Sequence, residues 1–175
     1  NVALNQKRFT WRHDSVLLEI ASIVKNLATE GTEVFSNLPT FQVNKTTIPA
    51  DILVSTGEGS KPDLVLLNRG RKTIALLELT CSLPGSAAKA HTLKDKKYTQ
   101  LALELEEKGY QVFLVPFEVL SPGHVSSQCK ESIQNTLKLF NIRVKKSLYE
   151  NLAKIAILCT MSIFHAYHVK EWVSP

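Results

Sequence analysis

Lys61-Pro62-Asp63-Leu64-Val65-Leu66-Leu67-Asn68-Arg69-Gly70-Arg71-Lys72-Thr73-Ile74-Ala75-Leu76-Leu77-Glu78-Leu79-Thr80 is the stretch whose reading decides the fold. Asp63 to Leu67, opened by Pro62, reads as a strand, and Asn68 to Arg71 as a hairpin turn holding the glycine such a connection wants. Thr73 to Leu79 is apolar on both faces, as a central strand is. Glu78 is the only charged residue between Lys72 and Lys89. A lone buried carboxylate is costly, so a metal ion, a cation or protonation must compensate it. Strand period places Leu76, Glu78 and Thr80 on one face. If Asp63 begins the antiparallel neighbour, both acids converge at one end of the sheet, where a hard dication such as Mg²⁺ finds carboxylate oxygens. The alternative is a loop-ending Asp63 and a Glu78 paired with a structural lysine or arginine.

Downstream, Pro84-Gly85 breaks the chain before a long helix, about Ser86 to Lys108, ended by Gly109. Lys94 and Lys97 share a face of that helix, and His91 extends it by one turn. A lysine beside a metal site can orient the attacking water or offset charge on phosphoryl oxygens. Lys96 falls off that face and reads as solvated. His91 is a phosphate contact, an orienting group or a structural histidine. Tyr98, Leu101, Leu103 and Leu105 supply apolar contacts.

Upstream, Asn1 to His13 is polar and basic, with Phe9 and Trp11 interleaved. Asp14 or Ser15 can cap a helix to about Ala28, because Val16, Ile20, Ile23, Val24 and Leu27 recur at helical spacing, and Gly31 ends it. A strand follows near Glu33 to Leu38. An extended piece lies near Phe41 to Val43, an apolar run at Asp51 to Val54, and a Gly-rich loop at Ser55 to Ser60. Tyr110 to Val119 is the next strand. Val125 to Phe140 and Lys145 to Lys170 are helices. This order predicts an α/β fold, a mixed β-sheet flanked by helices, with extra C-terminal helices. It is one domain over residues 1–175, with its core at about 14–120 and a C-terminal helical extension at 121–175.

The 175 residues are 44% hydrophobic, enough for a sizeable core and unlike a disordered or fibrous chain. The net charge of +5 favours polyanionic partners without specifying one. Cys81, Cys129 and Cys159 lack C-x-x-C spacing, so neither a zinc site nor a disulfide framework is indicated, and intracellular thiols are expected. The run Ile155 to Tyr167 is short for a bilayer and interrupted by His165, so it reads as a buried helix. Leu148, Leu152, Ile155 and Cys159 form one stripe of the last helix, with Ile157, Met161 and Phe164 off it. A helix apolar all round is buried in its own core or against a partner, and own-core burial is expected. Asn1 stands where a complete chain has methionine, which fits a segment excised from a larger protein. No signal peptide or transmembrane segment is expected.

The pattern Pro62-Asp63, Glu78-Leu79-Thr80 and Ala90-His91-x-x-Lys94-x-x-Lys97-Tyr98 resembles the PD-(D/E)XK nuclease superfamily. More narrowly, it resembles the restriction-like endonuclease domain of non-LTR retrotransposon polyproteins. Trp11-Arg12-His13-Asp14-Ser15-Val16-Leu17, Pro116-Phe117-Glu118-Val119 and the late Trp172 match further segments of that class. The likeness touches most of the chain and is specific from about Lys61 to Val119. It implies a mixed sheet flanked by helices, Mg²⁺ dependence, and DNA strand cleavage that primes reverse transcription. The superfamily usually carries a lysine two residues after its second acid, where this chain has Thr80. The retrotransposon-type domains place lysines on the succeeding helix, so Lys94 or Lys97 would substitute.

The expected function is therefore a metal-dependent DNA endonuclease, nicking target DNA within a retrotransposon-type polyprotein. Asp63 and Glu78 would hold Mg²⁺, or Mn²⁺ in its place, with Lys94 and Lys97 as the catalytic amines. Arg12, His13, Lys61, Arg69, Arg71, Lys89 and His91 would contact nucleic acid, largely through phosphates. Glu19 is a candidate third acid. An inactive nuclease fold kept for nucleic-acid binding or assembly is the competing reading, because Thr80 cannot replace an ammonium. DNA is the expected partner, with no membrane; self-association or contact with the rest of the polyprotein is the further option. The expected location is intracellular and nuclear.

Overall fold

The computed structural model describes residues 7–38, 49, 52, 61–83 and 98–169. In chain order these form α1 (Arg8–Leu27), β1 (Glu33–Ser36), β2 (Leu64–Asn68), β3 (Thr73–Thr80), α2 (helical residues 98–107), β4 (Gln111–Glu118), α3 (Ser127–Leu139) and α4 (Ser147–Val169). The strands make one sheet in the order β1-β2-β3-β4. The pairs β1–β2 and β2–β3 are antiparallel, while β3–β4 is parallel. The expected mixed sheet in an α/β chain is therefore present. The segments at Phe41–Val43 and Ser55–Ser60 and the first part of the long helix lie outside the described residues.

Every residue of β2 and β3 is buried, which makes them the central strands. Alternation sends Leu64, Leu66, Ala75, Leu77 and Leu79 to one face, against Val16, Leu17, Ile20 and Val24 of α1. Val65, Leu67, Ile74 and Leu76 go to the other, against Tyr98, Leu101 and Leu105 of α2. Helices thus cover both faces. Leu103, expected among the apolar contacts, falls off the buried stripe and is exposed. Pro116 in β4 has no N–H to donate, and among the described strands β4 is accordingly at the edge.

The hairpin forms where expected, with a different residue in the left-handed region. Among the described residues of the turn, Lys72 has φ 47 while Gly70 does not have positive φ. The Asn68 side chain accepts from the Arg71 N–H at 2.9 Å and holds the turn. Gly109 does end α2: at φ 82 it donates to Glu106 O, while Tyr110 donates to Leu105 O, a Schellman motif. Gly31, at φ 84, sits instead in the turn after α1, since the helix stops at Leu27.

One expectation about the helices needs correction: α1 begins at Arg8, not at Asp14 or Ser15. Arg8, Arg12, Val16, Ile20 and Val24 form one row at four-residue spacing, and all five are buried. The C-terminal helical extension packs into the main core. Ile133, Leu137, Leu148, Leu152 and Ala156 belong to the same core cluster as α1 and the sheet.

On α4 the stripe Leu148, Leu152, Ala156, Cys159, Ile163 and Ala166 is buried, but Ile157, Met161 and Phe164 are exposed. Own-core burial therefore holds for one side of the helix only. At 23 residues it is long and apolar enough to cross a membrane, by length and composition alone. A globular helix packed on a neighbour meets the same test, and this one packs on α1. Gly123, at φ 84, lies so close to α4 that a Cβ would stand 2.6 Å from Ile157 Cδ1. Any side chain there would push the loop off the helix.

Candidate active site

Antiparallel register sets Leu64 opposite Leu77. The ladder ends there, and Asp63, the next residue, takes the Leu79 N–H on its side chain, beside Glu78. The two acids therefore stand at one end of the sheet. Nothing local compels this; it follows from a hairpin of fixed length joining two strands of matched register.

Each acid is held by specific donors. Asp63 Oδ2 accepts from the Leu79 backbone N–H at 2.8 Å and from His13 Nε2 at 3.2 Å. Glu78, only 8% exposed, points with Leu76 toward α2. Its Oε2 accepts from the Tyr98 hydroxyl at 2.8 Å. The same hydroxyl lies 3.0 Å from the Lys61 carbonyl, so its one proton is shared between two acceptors. Burial, and then the charge and hydrogen bond of Glu78, push the Tyr98 phenol far above its ordinary range. It stays a donor at any pH where the fold survives.

His13 bridges Asp63 and Asp14, its Nδ1 lying 3.0 Å from Asp14 Oδ1. Burial pulls its pKa down, but the hydrogen bonds and charges of Asp14 and Asp63 outweigh that, raising it to about 9. A folded pKa raised above the unfolded value means stability present in full below about 6.5 and lost as pH climbs through about 9. In EDTA we expect the unfolding free energy from denaturant titrations to fall between pH 6 and 9.5 by on the order of 2 kcal/mol. His13→Gln should flatten that profile. An unchanged profile in the variant would remove the His13 bridge from the account.

The remaining candidates are dispersed. Lys61 is exposed two residues from Asp63. Lys94, Lys97, Lys89 and His91 lie outside the described residues, as does Trp172. Arg12 is not a surface cation: it is 4% exposed, and its guanidinium donates to Cys81 O at 2.9 Å and Thr160 Oγ1 at 3.2 Å. It joins α1, the end of β3 and α4. A phosphate contact needs an accessible guanidinium, so Arg12 does not fit that role. Arg69 and Arg71 occupy the hairpin, at the opposite end of β3 from Glu78 and roughly 20 Å away at strand rise. Arg69 also pairs with Glu33 at 3.0 Å. Neither can track a strand that runs over the acids at close range. Glu19, six residues beyond His13, is turned by helical rotation onto another face. It accepts from Asn151 of α4 at 3.1 Å rather than joining the acids.

Tyr98 is the polar group that sequence reading assigned to packing alone. The signal was present, since a lone buried glutamate demands a donor. Asp63 and Glu78 offer hard oxygen atoms for a dication, and Mg²⁺ commonly takes one or two carboxylates plus water and phosphate. Among the described residues no group of three or more His, Cys, Asp or Glu surrounds such a position. Two carboxylates, one oxygen of each held by a donor, fit that modest requirement. No protein-family model matches the chain, and no curated protein matches it.

Proposed function

We propose that this chain is a metal-dependent DNA endonuclease domain of the PD-(D/E)XK type, acting within a retrotransposon-type polyprotein. One observation carries the reading: an aspartate just before β2 and a buried glutamate on the adjacent β3 stand at one end of a mixed sheet, with the aspartate hydrogen-bonded to the residue after the glutamate.

Asp63 and Glu78 would hold Mg²⁺, or Mn²⁺ in its place. When bound, the dication supplies charge stabilisation at the scissile phosphate and acidifies a water ligand. The chain's own residues do the rest. The Leu79 N–H and His13 fix one oxygen of Asp63, so the carboxylate is oriented before substrate arrives. The Tyr98 hydroxyl does the same for Glu78. An imidazolium at His13 adds positive charge where a phosphate would approach. Lys94 and Lys97 are proposed as the amines, on the sequence pattern alone. A domain that cuts chromosomal DNA would work in the nucleus.

Thr80 favours a second reading, a fold that binds nucleic acid without cutting. It is buried on the Glu78 face and offers a hydroxyl where the superfamily usually has an ammonium. Supercoiled plasmid incubated with the protein separates the two. The endonuclease reading expects nicked circles in Mg²⁺ and none in EDTA. Retarded plasmid that stays supercoiled in Mg²⁺ and Mn²⁺ would establish the second reading instead.

A further inference from the structure

The chain's positive charge is unevenly placed. Residues 121–175 hold seven Lys/Arg and three Asp/Glu, a net +4, against fourteen and thirteen, a net +1, in residues 1–120. Most of that excess lies in one short stretch: Lys130, Lys138, Arg143, Lys145 and Lys146.

The backbone carrying these cations is pinned. Asn141, at φ 60, donates to Lys138 O, and Ile142 donates to Leu137 O, which closes α3 with a Schellman motif. Phe140 and Ile142 are both buried and anchor the turn from below. Arg143, Lys145 and Lys146 then stand exposed on a short link into α4. Lys138 lies in the last turn of α3, where the helix dipole alone accounts for a cation. The other three have no such reason. Among the described residues, Lys146 pairs with Glu150 at 4.0 Å, largely in solvent.

The surface is also concave. Lys138, Asn141 and Arg143 line an open cleft of about 420 Å³. Lys130, Lys146, His124, Ser127, Tyr149 and one acid, Glu150, line another of about 250 Å³, and the Tyr149 hydroxyl donates to Lys130 O at 3.1 Å. The loop bearing His124 leaves β4 at Glu118. The strand end it leaves is the one where Pro116 pairs with Glu78. Exposed cations around two clefts, one of them bordered by the loop that leaves the acid-bearing end of the sheet, suit an extended row of phosphates.

We propose that the α3–α4 surface, centred on Arg143, Lys145 and Lys146, is the principal contact for the phosphate backbone of duplex DNA. This rests on the endonuclease reading for its ligand, and it displaces the hairpin arginines from that role.

The test measures binding of an unlabelled-sequence duplex in EDTA at several salt concentrations. It compares wild type, Arg143→Ala/Lys145→Ala/Lys146→Ala, and the charge-matched control Arg69→Ala/Arg71→Ala/Lys72→Ala. The first variant should lose at least about ten-fold in affinity, and its log–log salt slope should shrink by roughly 2 to 3. The control should keep the wild-type slope. Equal losses in both triples, or none in the first, would overturn the proposal. Plasmid nicking run in parallel keeps the two readings apart. Loss of binding in the first triple, with a wild type that never nicks, retains this surface and sinks the endonuclease. Nicking by a first triple that binds normally does the reverse. A wild type that binds no duplex at low salt overturns both.

Discussion

Arg12→Ala is expected to destabilise the protein by about 3–5 kcal/mol, near the top of the range for single substitutions. For a chain of this length that is a drop in Tm of roughly 10 °C. The guanidinium is buried and holds two acceptors from distant parts of the chain, Cys81 O and Thr160 Oγ1. Thr160 in turn donates to Ser121 O at 2.9 Å, so one side chain ties α1 and α4 to the exits of β3 and β4. Truncation removes the guanidinium bonds to the Cys81 carbonyl and Thr160 Oγ1 and opens a cavity between helices. The clamp also carries its own cost: Arg12 Nε is buried with no partner among the described residues, and burial lowers the pKa of the group. Arg12→Lys should recover only part of the loss, because a single ammonium cannot span both acceptors. Thermal unfolding of the three proteins decides this. A change below about 1 kcal/mol for alanine would mean the clamp is incidental.

The second large effect concerns chemistry. Asp63→Asn and Glu78→Gln should each reduce Mg²⁺-dependent nicking by at least two to three orders of magnitude, the scale on which removing one preorganised electrostatic group is felt. Both substitutions preserve shape. An asparagine oxygen at position 63 still accepts from the Leu79 N–H, and a glutamine oxygen at 78 still accepts from Tyr98. Lost nicking with Tm held within a few degrees therefore reports the missing charge. Glu78→Gln should leave stability equal or higher, since it removes a buried anion. Asp63→Asn should also weaken the pH dependence attributed to His13, because one of its two anionic partners is gone. Nicking within three-fold of wild type in either variant would contradict the assignment of that residue.

The hairpin was legible in the sequence because two apolar runs flank a polar turn; whether Asp63 began the strand or ended the loop before it was left open, and β2 begins one residue later, at Leu64. The mixed sheet and the order of helices followed from the same periodicity. The start of α1 was misplaced because Asp14 and Ser15 are good N-cap residues, standing just before the first apolar position, Val16. Arg8 and Arg12 continue the row of Val16, Ile20 and Val24, and a pattern search that admits a long amphipathic side chain would have started the helix there. Arg12 could not be recognised as a clamp, because its partners lie 69 and 148 residues away. The exposed side of α4 was equally invisible: composition marks it apolar, but only packing decides which half of a helix is covered. Tyr98 was seen as a ring rather than a donor, since helical spacing reports faces and not hydroxyl partners.

The most direct measurement is a titration of Mn²⁺ against the metal-free protein, followed by the electron-spin resonance of the free ion. The account predicts saturable binding by wild type, at least about ten-fold weaker binding by Asp63→Asn and by Glu78→Gln, and no change in Arg71→Ala. Mn²⁺ bound with equal affinity by all four proteins, or by none, would contradict a dication site shared by Asp63 and Glu78.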